Sequence, residues 1–283
     1  MDPYIFDIQH GSFVDGPGIR TVIFFKGCNL RCVWCHNPES QSDKPELMIY
    51  RDKCTHCGKC LENCPNHLES CDLCGQCEIY CPNGARRLCG KKYSIGQLRE
   101  EIAGDRVFYD ASGGGVTFSG GECMLYPEFL TELLHVCRED SIQTAVDTAG
   151  HISYSVFEQV LPYTDMFLYD VKIMDSEKHR KYIGTDNSLI LANLARLLER
   201  KTRIRIRIPL IAGINDDDIN IQKLLEFCSR HGKPETIELL PYHRLGDNKY
   251  KGLGREIPKF EPPPDGVIDK LKSRIAQYMA QGK

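Results

Sequence analysis

The chain has 283 residues, 15 of them cysteine, and 36 basic against 39 acidic side chains give a formal net charge of −3. That length suits one α/β barrel with a small insertion, and the balanced charge provides no basic field for nucleic acid or an anionic membrane surface. The N-terminus, MDPYIFDIQHGSFVDGPGIR, lacks a charged region leading into an apolar one, and no stretch approaches the roughly 18 apolar residues of a membrane span, so the chain reads as cytoplasmic.

The first expected element is an apolar strand, TVIFFKG (21–27). It leads directly into CNLRCVWCH, where Cys28, Cys32 and Cys35 stand at C-x3-C-x2-C spacing. A cubane iron–sulfur cluster held by three thiolates leaves one iron without a protein ligand, and an open iron is a place for chemistry. The competing reading is a zinc site completed by a distant histidine, with His36 adjacent.

Two further runs follow. Cys54, Cys57, Cys60 and Cys64, then Cys71, Cys74, Cys77 and Cys81, each match the bacterial ferredoxin pattern C-x2-C-x2-C-x3-C-P. In two-cluster ferredoxins the fourth cysteine of each run serves the other cluster, which predicts the sets Cys54, Cys57, Cys60, Cys81 and Cys71, Cys74, Cys77, Cys64. Zinc held by C-x2-C pairs explains neither the fourth cysteine nor the proline. Only PNHLES separates the runs, so the pseudo-symmetric ferredoxin fold is expected to be trimmed. The insert is bounded at 49–89, between barrel segments 1–48 and 90–283. Cys89, Cys123, Cys137 and Cys228 are scattered and read as small buried hydrophobes.

Beyond the insert, helix-like stretches at 94–104, 127–140, 153–163, 188–201 and 216–232 alternate with strands at 115–121, 142–148, 165–172, 203–211 and 236–242. A proline-rich lead into an amphipathic helix ends the chain. Such alternation implies a parallel sheet closing toward a barrel, with the site at the carboxyl ends of its strands.

Several polar residues fall at those ends. In SGGE (119–122) two glycines let a ligand reach backbone groups, the acceptors a free ammonium needs. Asp147 is placed to hold that ammonium or a cation, or equally to cap a helix. Asp170 and Lys172 alternate on one strand face, and a lysine among apolar neighbours needs an anionic partner, either a bound carboxylate or Asp170 itself. In RIRIRIPL, Arg203, Arg205 and Arg207 share a face opposite Ile204, Ile206 and Ile208, which by itself reads as a solvated or salt-bridged face.

In order along the chain, GPGIRTVIFFKGCNLRCVWCHNPE, GGGVTFSGGECML, DTAGH, LYDVKIMD and ELLPYH resemble the motifs of radical S-adenosylmethionine glycyl-radical-enzyme activating enzymes, from about residue 5 to residue 260. Pyruvate formate-lyase activase belongs to this group but lacks the double ferredoxin insert. Activases of other glycyl radical enzymes carry it, and this chain resembles those.

The resemblance implies a partial (β/α)6 TIM-like barrel with an inserted ferredoxin-like domain binding two [4Fe–4S] clusters, three clusters in all. S-adenosylmethionine would chelate the open iron of the cube on Cys28, Cys32 and Cys35. Contacts to it are carried over to Trp34, Cys35, His36, Gly120, Gly121, Glu122, Asp147, Asp170, Lys172, Arg207 and His243. Arg207 is the one cofactor-side arginine, His243 lies near the ribose, and His36 lies over the adenine through its backbone with Trp34 beside it. A monovalent cation is expected near Asp147 and Asp170. Reductive cleavage would yield a 5′-deoxyadenosyl radical that takes hydrogen from a glycine Cα of a partner glycyl radical enzyme, with flavodoxin or ferredoxin as electron donor. Two alternatives stand beside it. Another radical S-adenosylmethionine enzyme with auxiliary clusters usually places its extra cysteines after the barrel, and none follows Cys228. A ferredoxin-type electron carrier leaves the open cube without a role.

Overall fold

The computed structural model describes residues 2–281. Nine strands form: β1 (Ile5–Ser12), β2 (Arg20–Phe25), β3 (Glu46–Ile49), β4 (Arg86–Cys89), β5 (Gly115–Gly120), β6 (Gln143–Thr148), β7 (Met166–Asp170), β8 (Ile204–Leu210) and β9 (Thr236–Pro241). Seven make one sheet in the order β1-β2-β5-β6-β7-β8-β9, with β1 antiparallel to β2 and every other pairing parallel. The six expected parallel strands are all present. β1 was not expected, because IFDIQHGS exposes Asp7, Gln9, His10 and Gly11 and keeps no strict alternation, although Ile5 and Phe6 are buried and the strand pairs with β2.

The parallel strands follow from their period-two pattern. On β8, Ile204, Ile206 and Ile208 enter a core shared with Leu194 and Leu197 of the helix Ser188–Glu199 and with Ile221 and Leu224 of the helix Asp218–His231. Burying each such side chain stabilises the fold by about 1.5–3 kcal/mol. The helices Ile95–Gly104, Pro127–Glu139, Tyr154–Val160 and Asp265–Ala280 also lie in the expected segments. Ile95–Gly104 opens on a capping box between Ser94 and Gln97.

The helix Ser176–Ile183 was not expected, since SEKHRKYI has almost no apolar stripe. Its ends define it: Asp175 accepts the Lys178 N–H at 2.9 Å, and Gly184 closes it at φ +93°.

The sheet is strongly curled. β2 and β8 are four strand steps apart, about 19 Å in a flat sheet, yet Arg207 of β8 lies 3.5 Å from Asp15 in the loop entering β2. The concave face is therefore closed enough for residues from non-neighbouring strands to meet.

The insert repeats with a period of 17 residues. His56 and Leu73 share φ near +55° and +60°, Gly58 and Gly75 share φ +78° and +77°, and the short helices Lys59–Glu62 and Gln76–Ile79 follow them. The Leu68 N–H donates to Cys64 Sγ at 3.3 Å, and the Ala85 N–H donates to Cys81 Sγ at 3.2 Å. β3 and β4 form an antiparallel pair at the neck, and the link PNHLES contains no strand. Cys89, Cys123, Cys137 and Cys228 are all buried, as expected of small apolar side chains. No helix among the described residues is long and apolar enough to cross a membrane.

Candidate functional site

The cysteine triplet leaves the end of β2 and is pinned from two sides. The Arg31 and Val33 N–H groups donate to the Ile183 and Tyr182 carbonyls at 2.9 and 3.0 Å. These carbonyls end the helix Ser176–Ile183, where backbone acceptors would otherwise go unpaired. On the other side, the Tyr250 hydroxyl donates to the Cys35 carbonyl at 2.8 Å. Neither support was visible in the sequence, because one is an unexpected helix and the other lies 215 residues away. Tyr250→Phe is expected to cost about 0.5–1.5 kcal/mol, read as a lower urea midpoint of the apo-protein with unchanged m-value.

The three thiols are close enough to repel one another as thiolates, and burial pushes Cys28 and Cys35 up to about 12 and raises Cys32. Iron binding must therefore displace protons. The Leu30 N–H points at Cys28 Sγ from 3.4 Å. Among the described residues no three His, Cys, Asp or Glu side chains gather around a single-ion position, so no closed tetrahedral zinc set is preformed there. The donor set suits the expected cube, being soft thiols with N–H···S support and a nearby cation.

That cation is Lys172. Its Nζ lies 2.9 Å from Asp170 Oδ2, and although burial opposes the charge, Asp170, Cys32 and Cys28 hold the ammonium above its ordinary value. Asp170 also meets Arg207 Nε at 3.3 Å, and Arg207 Nη2 lies 2.5 Å from Asp147 Oδ1. The Ser119 hydroxyl donates to Asp147 Oδ2 at 2.6 Å. Three carboxylates, Asp15, Asp147 and Asp170, thus surround two cations. Burial works upward on both Asp147 and Asp170; it prevails at Asp147, whereas Lys172 and Arg207 bring Asp170 below the usual range. Asp15 escaped the sequence reading; its only signal was its place in DGPGIR.

The arginine strand divides into two environments. Arg203 and Arg205 pair with Glu235 at the half-exposed end, while Arg207 alone is buried in the carboxylate cluster.

Gly120 and Gly121 lie beside this cluster, where the protein's own backbone already leaves no room for a side chain. A Cβ at Gly120 would stand 2.3 Å from the Phe25 backbone, and one at Gly121 would stand 2.2 Å from the Gly27 carbonyl. The glycines allow the β5 end to pack against the backbone entering the triplet. The Glu122 carboxylate turns inward, accepting from the Thr148 hydroxyl at 2.9 Å, the Ala149 N–H at 3.1 Å and the Met124 N–H at 3.3 Å. Only its backbone is left for a ligand.

Burial raises Glu122 from 4.5 to about 7. A folded-state value above the unfolded one makes the native form bind more protons in between, so this contribution to stability is complete below about pH 4.5 and lost as pH rises through about 7, by up to about 1.4 kcal/mol per unit. Glu122→Gln should flatten the apo-protein's thermal stability across that window. An unchanged profile would count against a neutral Glu122.

His36 and His243 come together with ring centroids 4.2 Å apart at 74°, and burial, His243 and Lys249 lower His36 to about 4. Trp34 is buried between Tyr182 and Phe260, each 5.9 Å away, in a cluster with Leu30, Ile173 and Ile211 that packs on Cys28 and Cys32. It forms the apolar wall of the triplet.

In the insert, Cys64, Cys71, Cys74 and Cys77 line one cavity of about 370 Å³ with Leu47, Ile49, Leu68, Leu73 and Leu88. This is one of the two crossed sets. Cys54, Cys57, Cys71 and Cys74 are exposed, Cys60, Cys64 and Cys81 are half-buried, and Cys77 is buried. Burial works upward on Cys81, but the N–H groups of Ala85, Asn83, Arg86 and Gly84 bring it below its ordinary value.

The profile of the 4Fe-4S single cluster domain family matches residues 14–191. The chain is 40% identical to the choline trimethylamine-lyase activating enzyme of Oleidesulfovibrio alaskensis, covering 97% of this chain and 95% of that one. It is 41% identical to the trans-4-hydroxy-L-proline dehydratase activating enzyme of Clostridioides difficile, covering 96% and 95%. Among solved structures, a domain of the pyruvate-formate lyase-activating enzyme from Bacteroides vulgatus matches with TM-score 0.51 and 36% identity over 59% of this chain and 95% of that domain. A C-x3-C-x2-C loop at the carboxyl end of a curled parallel sheet, together with similarity to two activating enzymes over nearly the whole chain, leads to one conclusion: the chain belongs to the radical S-adenosylmethionine activating enzymes of glycyl radical enzymes.

Proposed function

We propose that this chain installs a radical on a glycine of a partner glycyl radical enzyme, using S-adenosylmethionine at the cysteine triplet. The observation that carries the reading is the meeting of Cys28, Cys32 and Cys35 with the buried Asp170–Lys172–Arg207–Asp147 cluster at one end of the sheet. When bound, a [4Fe–4S] cube and S-adenosylmethionine supply one electron and a 5′-deoxyadenosyl radical able to take hydrogen from a glycine Cα.

The residues supply binding, orientation and exclusion of water. Cys28, Cys32 and Cys35 hold the cube through three thiolates and leave its fourth corner open. Lys172 and Arg207 offer positive charge to the methionine carboxylate, and backbone acceptors of Gly120, Gly121 and Glu122 face its ammonium. Cys35, His36 and His243 flank the nucleoside part. Leu30, Trp34, Ile173 and Ile211 keep the triplet's flank dry, which strengthens the electrostatics inside. Asp15, Asp147 and Asp170 exceed Arg207 and Lys172 by one negative charge, and a monovalent cation beside Asp147 and Asp170 would balance it.

We further assign residues 49–89 as a ferredoxin-like unit holding two [4Fe–4S] groups on the crossed cysteine sets, supported by the 17-residue repeat and the four-thiol cavity. A flavodoxin or ferredoxin is the external donor this arrangement suits, and the cytoplasm is the compartment that keeps the thiols reduced.

The test is anaerobic reconstitution with iron and sulfide, then incubation with S-adenosylmethionine, a reductant and a panel of glycyl radical enzymes including choline trimethylamine-lyase and trans-4-hydroxy-L-proline dehydratase. The expected result is the glycyl radical doublet in the electron paramagnetic resonance (EPR) spectrum of one partner, with 5′-deoxyadenosine formed. A fully loaded protein that cleaves no S-adenosylmethionine with any partner would overturn the reading.

A further inference from the structure

Resting on the reading that the insert holds two [4Fe–4S] groups, we propose that its cysteine sets work in series. Cys54, Cys57, Cys60 and Cys81 form the outer set, where an external one-electron reductant delivers. Cys64, Cys71, Cys74 and Cys77 form the inner set, which passes the electron across the β3–β4 sheet to the triplet. One electron leaves the reductant, and the same electron arrives at the triplet.

The pairing register of the small sheet carries the argument. Leu47 lies opposite Leu88 and Ile49 opposite Arg86, so these four share one face, and they floor the cavity of the inner set. Glu46, Met48, Arg87 and Cys89 share the other face, which meets the barrel. Met48 and Cys89 pack with Phe6, the Arg87 guanidinium donates to the Phe6 carbonyl at 3.2 Å, and Glu46 pairs with the buried Lys26 at 3.1 Å. A single sheet layer, about 10 Å thick in packed structures, separates the inner set from β1 and β2.

Contact with the sheet face distinguishes the two sets. Its Glu46 end abuts Lys26, two residues before Cys28, and Lys26 Nζ also donates to the Glu39 carbonyl at 2.5 Å. Cys54 follows and Cys81 precedes the opposite end, formed by Ile49 and Arg86. Cys54, Cys57, Cys60 and Cys81 do not line the cavity over the sheet.

The junction is also braced. Arg255 binds Glu46 at 2.7 Å and the Pro38 carbonyl at 2.8 Å, Lys249 binds Glu39 at 2.8 Å, and Tyr250 holds the Cys35 carbonyl. Gly252 leaves room for Tyr50, whose ring a Cβ there would meet at 3.0 Å. The segment after β9 therefore holds the triplet loop and β3 in one fixed relation, as a through-protein electron path requires.

Two measurements test the order. In the reduced, unmodified protein, a soluble paramagnetic lanthanide chelate should accelerate EPR relaxation of the outer-set signal more than that of the inner set. Equal acceleration, or the reverse, overturns the proposal. The double variants Cys54→Ala/Cys57→Ala and Cys71→Ala/Cys74→Ala, which leave two thiolates in one set and are identified by iron content falling from about twelve to about eight per chain, assign the signals. Each is then reduced with reduced flavodoxin, freeze-quenched and examined by EPR. Cys71→Ala/Cys74→Ala should reduce the outer set but lose the triplet signal that responds to S-adenosylmethionine. Cys54→Ala/Cys57→Ala should lose both inner-set and triplet reduction, and dithionite, small enough to reach the triplet directly, should restore the triplet signal in both. Flavodoxin reducing the triplet of Cys71→Ala/Cys74→Ala at the wild-type rate overturns the series order. If a variant does not fold, the chelate measurement on the unmodified protein decides. A wild type holding about four irons would instead remove the two-cluster reading and the order with it, a failure the iron count separates from a wrong order.

Discussion

Cys32→Ala is expected to abolish 5′-deoxyadenosine formation from S-adenosylmethionine under dithionite while the insert keeps its iron. Of the three triplet thiols, Cys32 is the one within charge range of both members of the Asp170–Lys172 pair, and burial dominates its environment. Two thiolates cannot hold a cube that three hold with one iron open, so on the proposed three-cluster reading the variant should lose about four of about twelve irons. Iron analysis and chromatography of the products read the two effects together. Full iron loss would mean that the triplet supports the folding of the insert. Retained cleavage would mean that the triplet is not the reactive centre. Cys137→Ala, a buried cysteine away from every run, should leave both readouts unchanged apart from a packing cost of about 1–2 kcal/mol.

Arg207→Met should destabilise the apo-protein by about 3–5 kcal/mol, the usual cost of removing one partner of a buried charge pair. The guanidinium contacts Asp15, Asp147 and Asp170 through three different nitrogens, and methionine leaves these carboxylates with Lys172 alone. Arg207→Lys should recover little, since an ammonium cannot reproduce the planar fork. Arg203→Ala, on the same strand face, should cost no more than about 1 kcal/mol, because its Glu235 pair is half-exposed. Urea denaturation at neutral pH compares the three. The pH dependence supplies a second reading: without Arg207 the buried carboxylates protonate more easily in the folded than in the unfolded chain, so the variant should regain stability as pH falls. If Arg207→Met and Arg203→Ala had equal effects, the buried charge cluster would not be what the arginine stabilises.

Much of the candidate site was legible because its signals are local. C-x3-C-x2-C brings three thiols within one loop whatever the surrounding fold, and the two ferredoxin runs fix their own turns, seen in the matching left-handed residues His56 and Leu73. The parallel strands were legible because alternating or continuous apolar residues have few other ways to be buried. The polar helix Ser176–Ile183 was not, since it carries almost no apolar stripe, nor was the edge strand β1, whose apolar Ile5, Phe6 and Ile8 follow no strict alternation.

The glycine pair teaches a similar lesson. SGG stands at the expected strand end, and it also permits the close approach of Phe25 and Gly27 of the protein itself. Glu122 likewise occupies its expected position, with its carboxylate committed to Thr148 and Ala149. A residue type and a position can be read from a motif; the direction a side chain takes depends on which donors the neighbouring strands present.

The sequence by itself determined the chemistry of the donors, the order of strands and helices, and the family motifs, because each rests on spacing within a few residues. The tertiary structure alone decided which of three arginines on one strand face is buried, since Asp15, Asp147 and Asp170 converge only once the sheet curls. It also decided that Tyr250 and Arg255 brace the triplet loop from more than 200 residues away. Such long-range contacts leave no periodic trace in the chain, because chain folding rather than local propensity brings the partners together.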